Sequence, residues 1–259
     1  MKNALRGHWP EYALEALGVF LFMVSACAFG TLLEHPDSPA PRALPSPLAR
    51  RALMGLAMGA TAVGLIYSPL GKRSGAHLNP AVTLTFLTLG KVKPPDALLY
   101  AAAHFAGALL GVAAGALALG PLLASPSVRY VATVPGRSGP LVAFAAELAI
   151  SFLLMLVVLR TASSPRWERW TGLFAGLLVA TYVTVEAPLS GMSMNPARTF
   201  GSALHAREFT SWWIYFTAPV LGMLLAAGLH RRISRGVLTH CAKLHHRNRY
   251  RCIFCASSH

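Results

Sequence analysis

Charged residues are scarce in this chain, and this scarcity narrows the class of protein before any motif is considered. Asp, Glu, Lys and Arg together make up 12% of the 259 residues, whereas hydrophobic residues make up 54%. A soluble domain usually carries about a quarter charged residues. The composition therefore argues against a soluble globular protein and favours one that lies in lipid.

Cysteine is also rare, with four residues in the chain. Cys27 falls inside a long apolar run, whereas Cys241, Cys252 and Cys255 lie near the C-terminus. Structural disulfides form in oxidising compartments, whereas we expect these cysteines in a membrane span and in a cytoplasmic tail. We therefore expect no disulfide framework.

Six long apolar runs are the main feature that is present. They cover residues 12–33, 52–70, 97–119, 138–159, 170–187 and 209–229. A helix needs about 20 mostly apolar residues to cross a bilayer. The runs therefore predict six membrane-spanning helices, the first of them retained rather than cleaved as a signal peptide. Both termini then lie on one side of the membrane.

The basic residues indicate which side that is. If the termini are cytoplasmic, sixteen Lys and Arg residues lie on the cytoplasmic face and six lie in the outer loops. The positive-inside rule therefore predicts cytoplasmic termini. Topology and contact with anionic lipid also explain the net charge of +14, so we expect no nucleic acid partner.

One motif occurs twice, at equivalent places in two halves of the chain. Residues 74–83 read SGAHLNPAVT and residues 190–199 read SGMSMNPART, which agree at six of ten positions. Each copy follows the second span of its half, and the first span of each half carries one acid, Glu15 or Glu147. Because each half has three spans, the second half must insert upside down, which predicts an inverted repeat.

Each motif also predicts the start of a short helix, because Asn is a good N-cap and Pro fits the first helical position. The helices expected at about 80–89 and 196–205 are half the length of a span. Their N-termini would meet near the midplane and present two positive dipole ends. The free amide groups of Asn79 and Asn195 would then donate to water in a pore, which neutral solutes cross and charges do not.

The paired Ser-Gly-x-x-x-Asn-Pro-Ala loops, the six spans and the two acids resemble the aquaporin, or major intrinsic protein, family, in its bacterial form. The resemblance covers residues 11 to about 232. It implies an all-α membrane protein of six transmembrane helices plus two half-helices. It also implies a homotetramer with one pore per subunit, passive flow without a cofactor, and a place in the bacterial inner membrane.

The resemblance assigns residues to three roles. The pore motifs are Asn79, Pro80, Ala81 and Asn195, Pro196, Ala197, and the residues that brace their loops are Glu15, Glu147 and His77. Arg198 matches the family's filter arginine. The rest of the selectivity filter would be Met58, Val183 and Met192, with Gly59 as the alternative to Met58.

The filter leaves two functions open. Water-selective relatives usually have a histidine where this chain has Val183, so the filter is less polar than theirs. In contrast, Thr199, Ala203 and the pair Tyr215-Phe216 follow the water-channel pattern. We expect a water channel that excludes ions and protons. The alternative is a broader facilitator of small neutral solutes such as glycerol, hydrogen peroxide, ammonia or metalloid acids.

Two other classes fit less well. An ion-coupled transporter would need ionisable residues at the broken helices, where only Arg198 is found. An enzyme would need a nucleophile, a base and an orienting acid close together, and the sequence shows no such group.

The chain divides into a channel domain over residues 1–232, with repeats at about 11–120 and 139–232, and a basic tail over residues 233–259. The Cys and His residues of the tail resemble zinc-ligand spacing but match no standard set closely: Cys241, His245, His246, Cys252, Cys255 and His259. We therefore expect no metal and interpret the tail as a disordered segment on anionic lipid, with a small metal site as the alternative.

Overall fold

The computed structural model describes residues 2–234 and 239–255, and the regular structure of these residues is helical. His259 lies outside the described residues. The α-helices in chain order are α1 (Lys2–Glu34), α2 (Pro39–Ala43), α3 (Pro47–Tyr67), α4 (Pro69–Ser74), α5 (Pro80–Thr88), α6 (Pro94–Leu119), α7 (Pro121–Ala124), α8 (Pro140–Ala162), α9 (Thr171–Val185), α10 (Ala187–Ser190), α11 (Pro196–Ala206) and α12 (Trp213–Ile233). The predicted all-α fold is confirmed.

Proline and small polar caps fix where most of these helices begin. Nine of the described helices carry Pro at their first or second position. There the missing N–H costs no helical hydrogen bond, and the fixed φ angle already suits a helix. Ser68, for example, caps α4 by accepting a hydrogen bond of 3.2 Å from Gly71 N.

Six helices correspond to the six predicted spans. Five of them, α1, α3, α6, α8 and α12, are long and apolar enough to cross a bilayer. The fifth predicted span, residues 170–187, forms a shorter helix, because α9 has 15 residues and ends at Val185. Pro188 in α10 prevents a continuous helix there. A 3-10 turn over Glu168–Trp170 precedes α9, so helical backbone still extends over most of residues 168–190.

The packing of these helices follows the predicted inverted repeat. In the first half α1 packs along α6, and in the second half α8 packs along α12 in the same way. The second spans of the two halves, α3 and α9, pack against each other and join the halves. With three spans in each half, the symmetry axis lies in the plane of the membrane.

A stripe of small residues sets the contact between α1 and α6. A Cβ atom at Gly107 would lie 2.1 Å from Ala16 O, and one at Gly111 would lie 2.6 Å from Phe20 O. The second half repeats this close approach, since a Cβ atom at Gly222 would lie 2.4 Å from Leu148 O. Glycine at these positions lets the backbones touch, which is how membrane helices gain dispersion energy.

The tail folds against the channel, and our interpretation of it as disordered is wrong for residues 239–255. Ala242 is fully buried, and Lys243 and Leu244 are 2% and 6% exposed. Lys243 can be buried because its ammonium group donates to three backbone carbonyl oxygens, those of Lys72, Tyr250 and Arg251.

The tail lies at one end of the helix bundle, which we call the terminal face. This face holds the start of α1, the end of α12 and the connection between α8 and α9. Arg251 Nη2 donates to Gly7 O at 2.7 Å, and Arg247 pairs with Glu168. The tail therefore extends from α1 to the connection between α8 and α9.

Candidate pore

Two half-helices, α5 and α11, meet in the middle of the bundle. They have 9 and 11 residues, so each is about half the length of a span. Asn79 Oδ1 accepts a hydrogen bond of 2.8 Å from Ala81 N, and Asn195 Oδ1 accepts one of 3.1 Å from Ala197 N. Both asparagines are therefore N-caps, and both helices direct their positive dipole ends toward the centre.

The amide groups of the two asparagines cross between the loops. Asn79 Nδ2 donates to Met194 O at 2.7 Å, and Asn195 Nδ2 donates to Leu78 O at 2.8 Å. The sequence prediction that both amides are wholly free is therefore wrong. Each amide has two N–H groups and uses one of them in the cross-link, which leaves one for the pore.

The two loops share one unusual backbone conformation. Gly75 and Gly191 have φ angles of 111° and 81°, and they end the short helices α4 and α10. Leu78 and Met194 also have positive φ angles, of 51° and 53°, although neither is glycine. Such angles are rare for L-residues and need support from their surroundings.

A buried acid supports the first loop. Glu15 Oε1 accepts hydrogen bonds from Ser74 Oγ at 2.6 Å and from His77 N at 3.2 Å. Its other oxygen accepts from Leu78 N at 2.7 Å and lies 2.8 Å from His104 Nε2. A fully buried carboxylate is costly without partners, and here both oxygens are bonded.

Glu147 has the same contacts in the second loop. Its Oε1 accepts from Ser190 Oγ at 2.8 Å and from Ser193 N at 2.6 Å, and its Oε2 accepts from Met194 N at 2.8 Å. These three donors occupy the same motif positions as those bound by the acid of the first half. Both acids thus hold their loops through equivalent atoms.

Three further supporting residues were missed or misread in the sequence. Tyr100 and Tyr215 each donate a hydrogen bond of 2.6 Å to the carbonyl oxygen of the motif serine, Ser74 or Ser190. Their equivalent places in the third span of each half were the signal that could have found them. His104 stands on an apolar helix, where the sequence favours a packing role, but its Nε2 lies 2.8 Å from Glu15 Oε2.

His77 links the first loop to the tail. Its Nδ1 lies 2.9 Å from Thr83 Oγ1, and its Nε2 lies 2.8 Å from Ala242 O. A carbonyl oxygen can only accept, so Nε2 is the donor in the second contact. The imidazole ring stacks between Phe86 and Phe254, with centroid distances of 5.2 and 5.3 Å.

The half-helices open onto a cavity of about 460 Å³. Both asparagines line it, and so do the four residues assigned to the filter: Met58, Val183, Met192 and Arg198. Gly59, the alternative to Met58, instead packs on α9, where a Cβ atom would lie 2.5 Å from Gly176 O. The structure therefore brings the two motif asparagines and the four filter residues together around one space.

Arg198 lines this cavity and carries an unsatisfied donor. Its backbone N–H is 3.3 Å from Asn195 Oδ1, which fixes the start of its helix. Its Nη1 is buried and has no hydrogen-bond partner in the described part of the chain. A buried donor left unpaired costs about 1–3 kcal/mol, so it is ready to bind a solute or water that enters.

These features define a class of multi-pass membrane channel, in which two re-entrant half-helices meet at the centre of six spans. The model of the Major intrinsic protein family matches residues 5–230, and the chain belongs to that family. Members of this family are channels and not enzymes, so the expectation that the chain is no enzyme is confirmed.

Several plant proteins are similar in sequence. The chain is 38% identical over 171 residues to the "Probable aquaporin NIP-type" of Nicotiana alata. This aligned region covers 65% of this chain and 61% of that protein. It is 38% identical over 176 residues to "Aquaporin NIP1-3" of Oryza sativa subsp. japonica, covering 68% and 59%. The chain thus matches about three fifths of the length of these relatives.

A solved structure confirms the fold. The aquaglyceroporin from Plasmodium falciparum superposes with a TM-score of 0.75, over 89% of this chain and 99% of that one, at 21% sequence identity. This match supports six spans with two half-helices. The predicted bacterial inner membrane has no support from the plant relatives and stays a prediction.

Proposed function

We propose that the chain forms a passive transmembrane channel for water that excludes ions and protons. The observation that carries this proposal is that Asn79, Asn195 and Arg198 all line one cavity between the two half-helices. Donors surround this space from two sides, so the site suits a small solute that accepts hydrogen bonds.

The same donors explain how charge would be excluded. A water molecule at the centre accepts from the remaining N–H groups of Asn79 and Asn195, which turns its own hydrogens away from both. The oriented chain of hydrogen bonds along which a proton would hop is then broken. Two positive dipole ends and the guanidinium of Arg198 repel cations.

A second candidate function is a broader facilitator of small neutral solutes such as glycerol. The specific observation that favours it is the apolar character of the filter, where Met58, Val183 and Met192 line the cavity beside Arg198. A polar group that loses hydration without a replacement hydrogen bond costs about 1–3 kcal/mol. Such a filter therefore favours solutes less polar than water.

Stopped-flow light scattering on proteoliposomes separates the two candidates. Vesicles are challenged first with an impermeant osmolyte and then with glycerol. Faster shrinking than in empty vesicles, with slow glycerol entry, supports the water channel. Glycerol entry as fast as in a glycerol facilitator supports the second candidate, and no acceleration at all overturns both.

Two matched variants test whether flow uses this cavity. Val183→Trp places a large ring in the filter and should abolish the osmotic response. Val185→Trp changes the same helix two residues further on, where the side chain is 61% exposed and is not part of the cavity lining. It should leave the flow unchanged, and equal effects of the two variants would contradict the proposed path.

We also propose a homotetramer in the cell membrane, with both termini cytoplasmic. Large apolar side chains cover the outside of the spans, among them Leu117 and Leu141, which are 89% and 83% exposed. Lipid or neighbouring copies would cover them. Native mass spectrometry tests the assembly, and protease access to the tail in oriented vesicles tests the topology.

A further inference from the structure

We propose that the tail binds one Zn²⁺ ion through Cys241, His246, Cys252 and Cys255. This ion holds the tail over the end of the cavity at the terminal face, which we call the mouth and where Leu244 lines the wall. The ligand atoms of the four residues all lie within 4.8 Å of one another. Cys241 Sγ is 3.2 Å from Cys252 Sγ, and Cys255 Sγ is 3.9 Å from His246 Nε2.

These separations suit tetrahedral zinc. With Zn–S bonds near 2.3 Å and a Zn–N bond near 2.0 Å, ligand atoms of a tetrahedral site lie about 3.5–3.8 Å apart. The two separations above, 3.2 and 3.9 Å, lie on either side of this range. Cys252 and Cys255 also have the Cys-x-x-Cys spacing of structural zinc sites, and thiolate ligands select zinc over magnesium or calcium.

The tail needs a cross-link of this kind to stabilise its fold. Residues 239–255 contain no helix or strand, yet Cys241, Ala242, Leu244 and Cys252 are buried. A segment this short cannot bury enough apolar surface to fix its own conformation, and small folds of this kind usually depend on a metal or a disulfide.

Charge balance also favours a metal with three thiolates. Zn²⁺ displaces three thiol protons, so the site with a neutral histidine would carry a net charge of −1. Lys243, a cation that is 2% exposed, lies between the ligand positions Cys241 and His246, and Arg251 lies between His246 and Cys252. A negative centre would offset these charges.

The residues that contact the channel stand between the zinc ligands in the sequence. Ala242 O accepts from His77 Nε2, and Leu244 N donates to Gly75 O at 3.1 Å, so both bond the first pore loop. The Leu244 side chain lines the cavity and is packed among the residues of its wall. Phe254, between Cys252 and Cys255, stacks on His77.

It follows that the ion fixes the position of a leucine in the channel mouth. This second step rests on the proposed function, because it assumes that solute passes through the cavity. Loss of the ion would release the tail, withdraw Leu244 and increase flow. The metal site itself does not depend on that assumption.

Metal analysis of the purified full-length protein tests the site. We expect one zinc ion per chain by mass spectrometry, and loss of most of it in Cys252→Ser and His246→Ala. His240→Ala is the matched control, because His240 is exposed and stands directly before Cys241 outside the cluster. Cobalt substitution should give thiolate-to-cobalt absorption that is lost in the same two variants.

Two results would overturn the site. One is protein without zinc in which Cys241 and Cys252 form a disulfide, detected as a mass two hydrogens lower and as thiols that resist alkylation. The other is zinc retained equally by Cys252→Ser and by the control. A normal gel-filtration profile for each variant shows that loss of metal is not loss of fold.

Osmotic flow measurements test whether the metal-bound tail restricts flow at the mouth. Protein stripped of metal by a chelator before reconstitution should give water permeability several-fold above that of the zinc form, and added Zn²⁺ should reverse the change. Leu244→Ala should raise permeability while zinc content stays at one per chain. One zinc per chain with permeability unaffected by chelation would overturn the role at the mouth. No flow in any form would instead contradict the proposed channel and leave the metal result standing.

Discussion

Asn79 and Met194 are joined by a hydrogen bond of 2.7 Å, although 115 positions separate them. The peptide N–H of Met194 is held by Glu147 at 2.8 Å, so the acid of the second half positions the acceptor for the asparagine of the first half. A substitution at Glu147 should therefore alter the hydrogen bond at the pore centre indirectly, through Met194.

Glu147→Gln tests this connection. The carboxylate accepts three hydrogen bonds, whereas an amide presents an N–H group to at least one of the same donors. We expect a loss of about 1–3 kcal/mol of stability, seen as a lower melting temperature in detergent, together with reduced water flow. Glu208→Gln is the control, because Glu208 Oε1 accepts from Thr210 N in an exposed contact far from the pore loops. Equal melting temperatures for the two variants would refute the bracing role.

Arg198→Val gives the second half the residue that the first half has at position 82. Removing the guanidinium should raise proton or cation leakage while water still flows, because one of the charges facing the cavity is lost. A pH-sensitive dye inside the vesicles measures the leak. Arg137→Val removes the same charge from an exposed loop and should cause no leak. If Arg198→Val shows no more proton leakage than the unchanged protein, the helix dipoles and the two asparagines exclude protons without the arginine.

Val183→His tests the polarity of the filter. The imidazole adds a polar group and narrows the cavity, so it should lower residual glycerol flow without abolishing water flow. Val183→Leu narrows the same place without adding polarity. If the leucine variant lowers the ratio of glycerol to water flow as much as the histidine variant does, size and not hydrogen bonding sets the selectivity.

Gly107→Ala tests the contact between α1 and α6. The added methyl group would lie 2.1 Å from Ala16 O, so the helices must separate, at a cost of about 1–3 kcal/mol. We expect a clearly lower melting temperature in detergent. Gly228→Ala in α12 is the matched control, since no atom lies within 4 Å of a Cβ atom there, and it should be neutral or slightly stabilising.

The sequence predicts the half-helices well, because their start signals are local. Asn79-Pro80 and Asn195-Pro196 combine a cap with a first-turn proline, and both helices begin there. The length of α9 was less predictable. Hydropathy alone extends the span to residue 187, whereas Pro188 ends the helix at Val185.

The sequence does not predict contacts whose partner is the backbone of a distant loop. The sequence predicts a free amide at Asn79, because nothing in it shows that the carbonyl of Met194 turns toward that amide. The fold of the tail was missed for a similar reason. Its apolar residues are few, and the grouping of Cys241 with Cys252 depends on turns that carry no clear local signal.

The two hydrogen bonds at the pore centre place few demands on the side chains of the residues that accept them. Each asparagine binds a main-chain carbonyl, and the residues that supply it, Leu78 and Met194, already differ between the two halves. Selection can therefore vary these two positions independently while the contact persists. Correlated substitutions across homologues should be weak at this junction, and covariation analysis would underestimate how tightly the two halves are coupled.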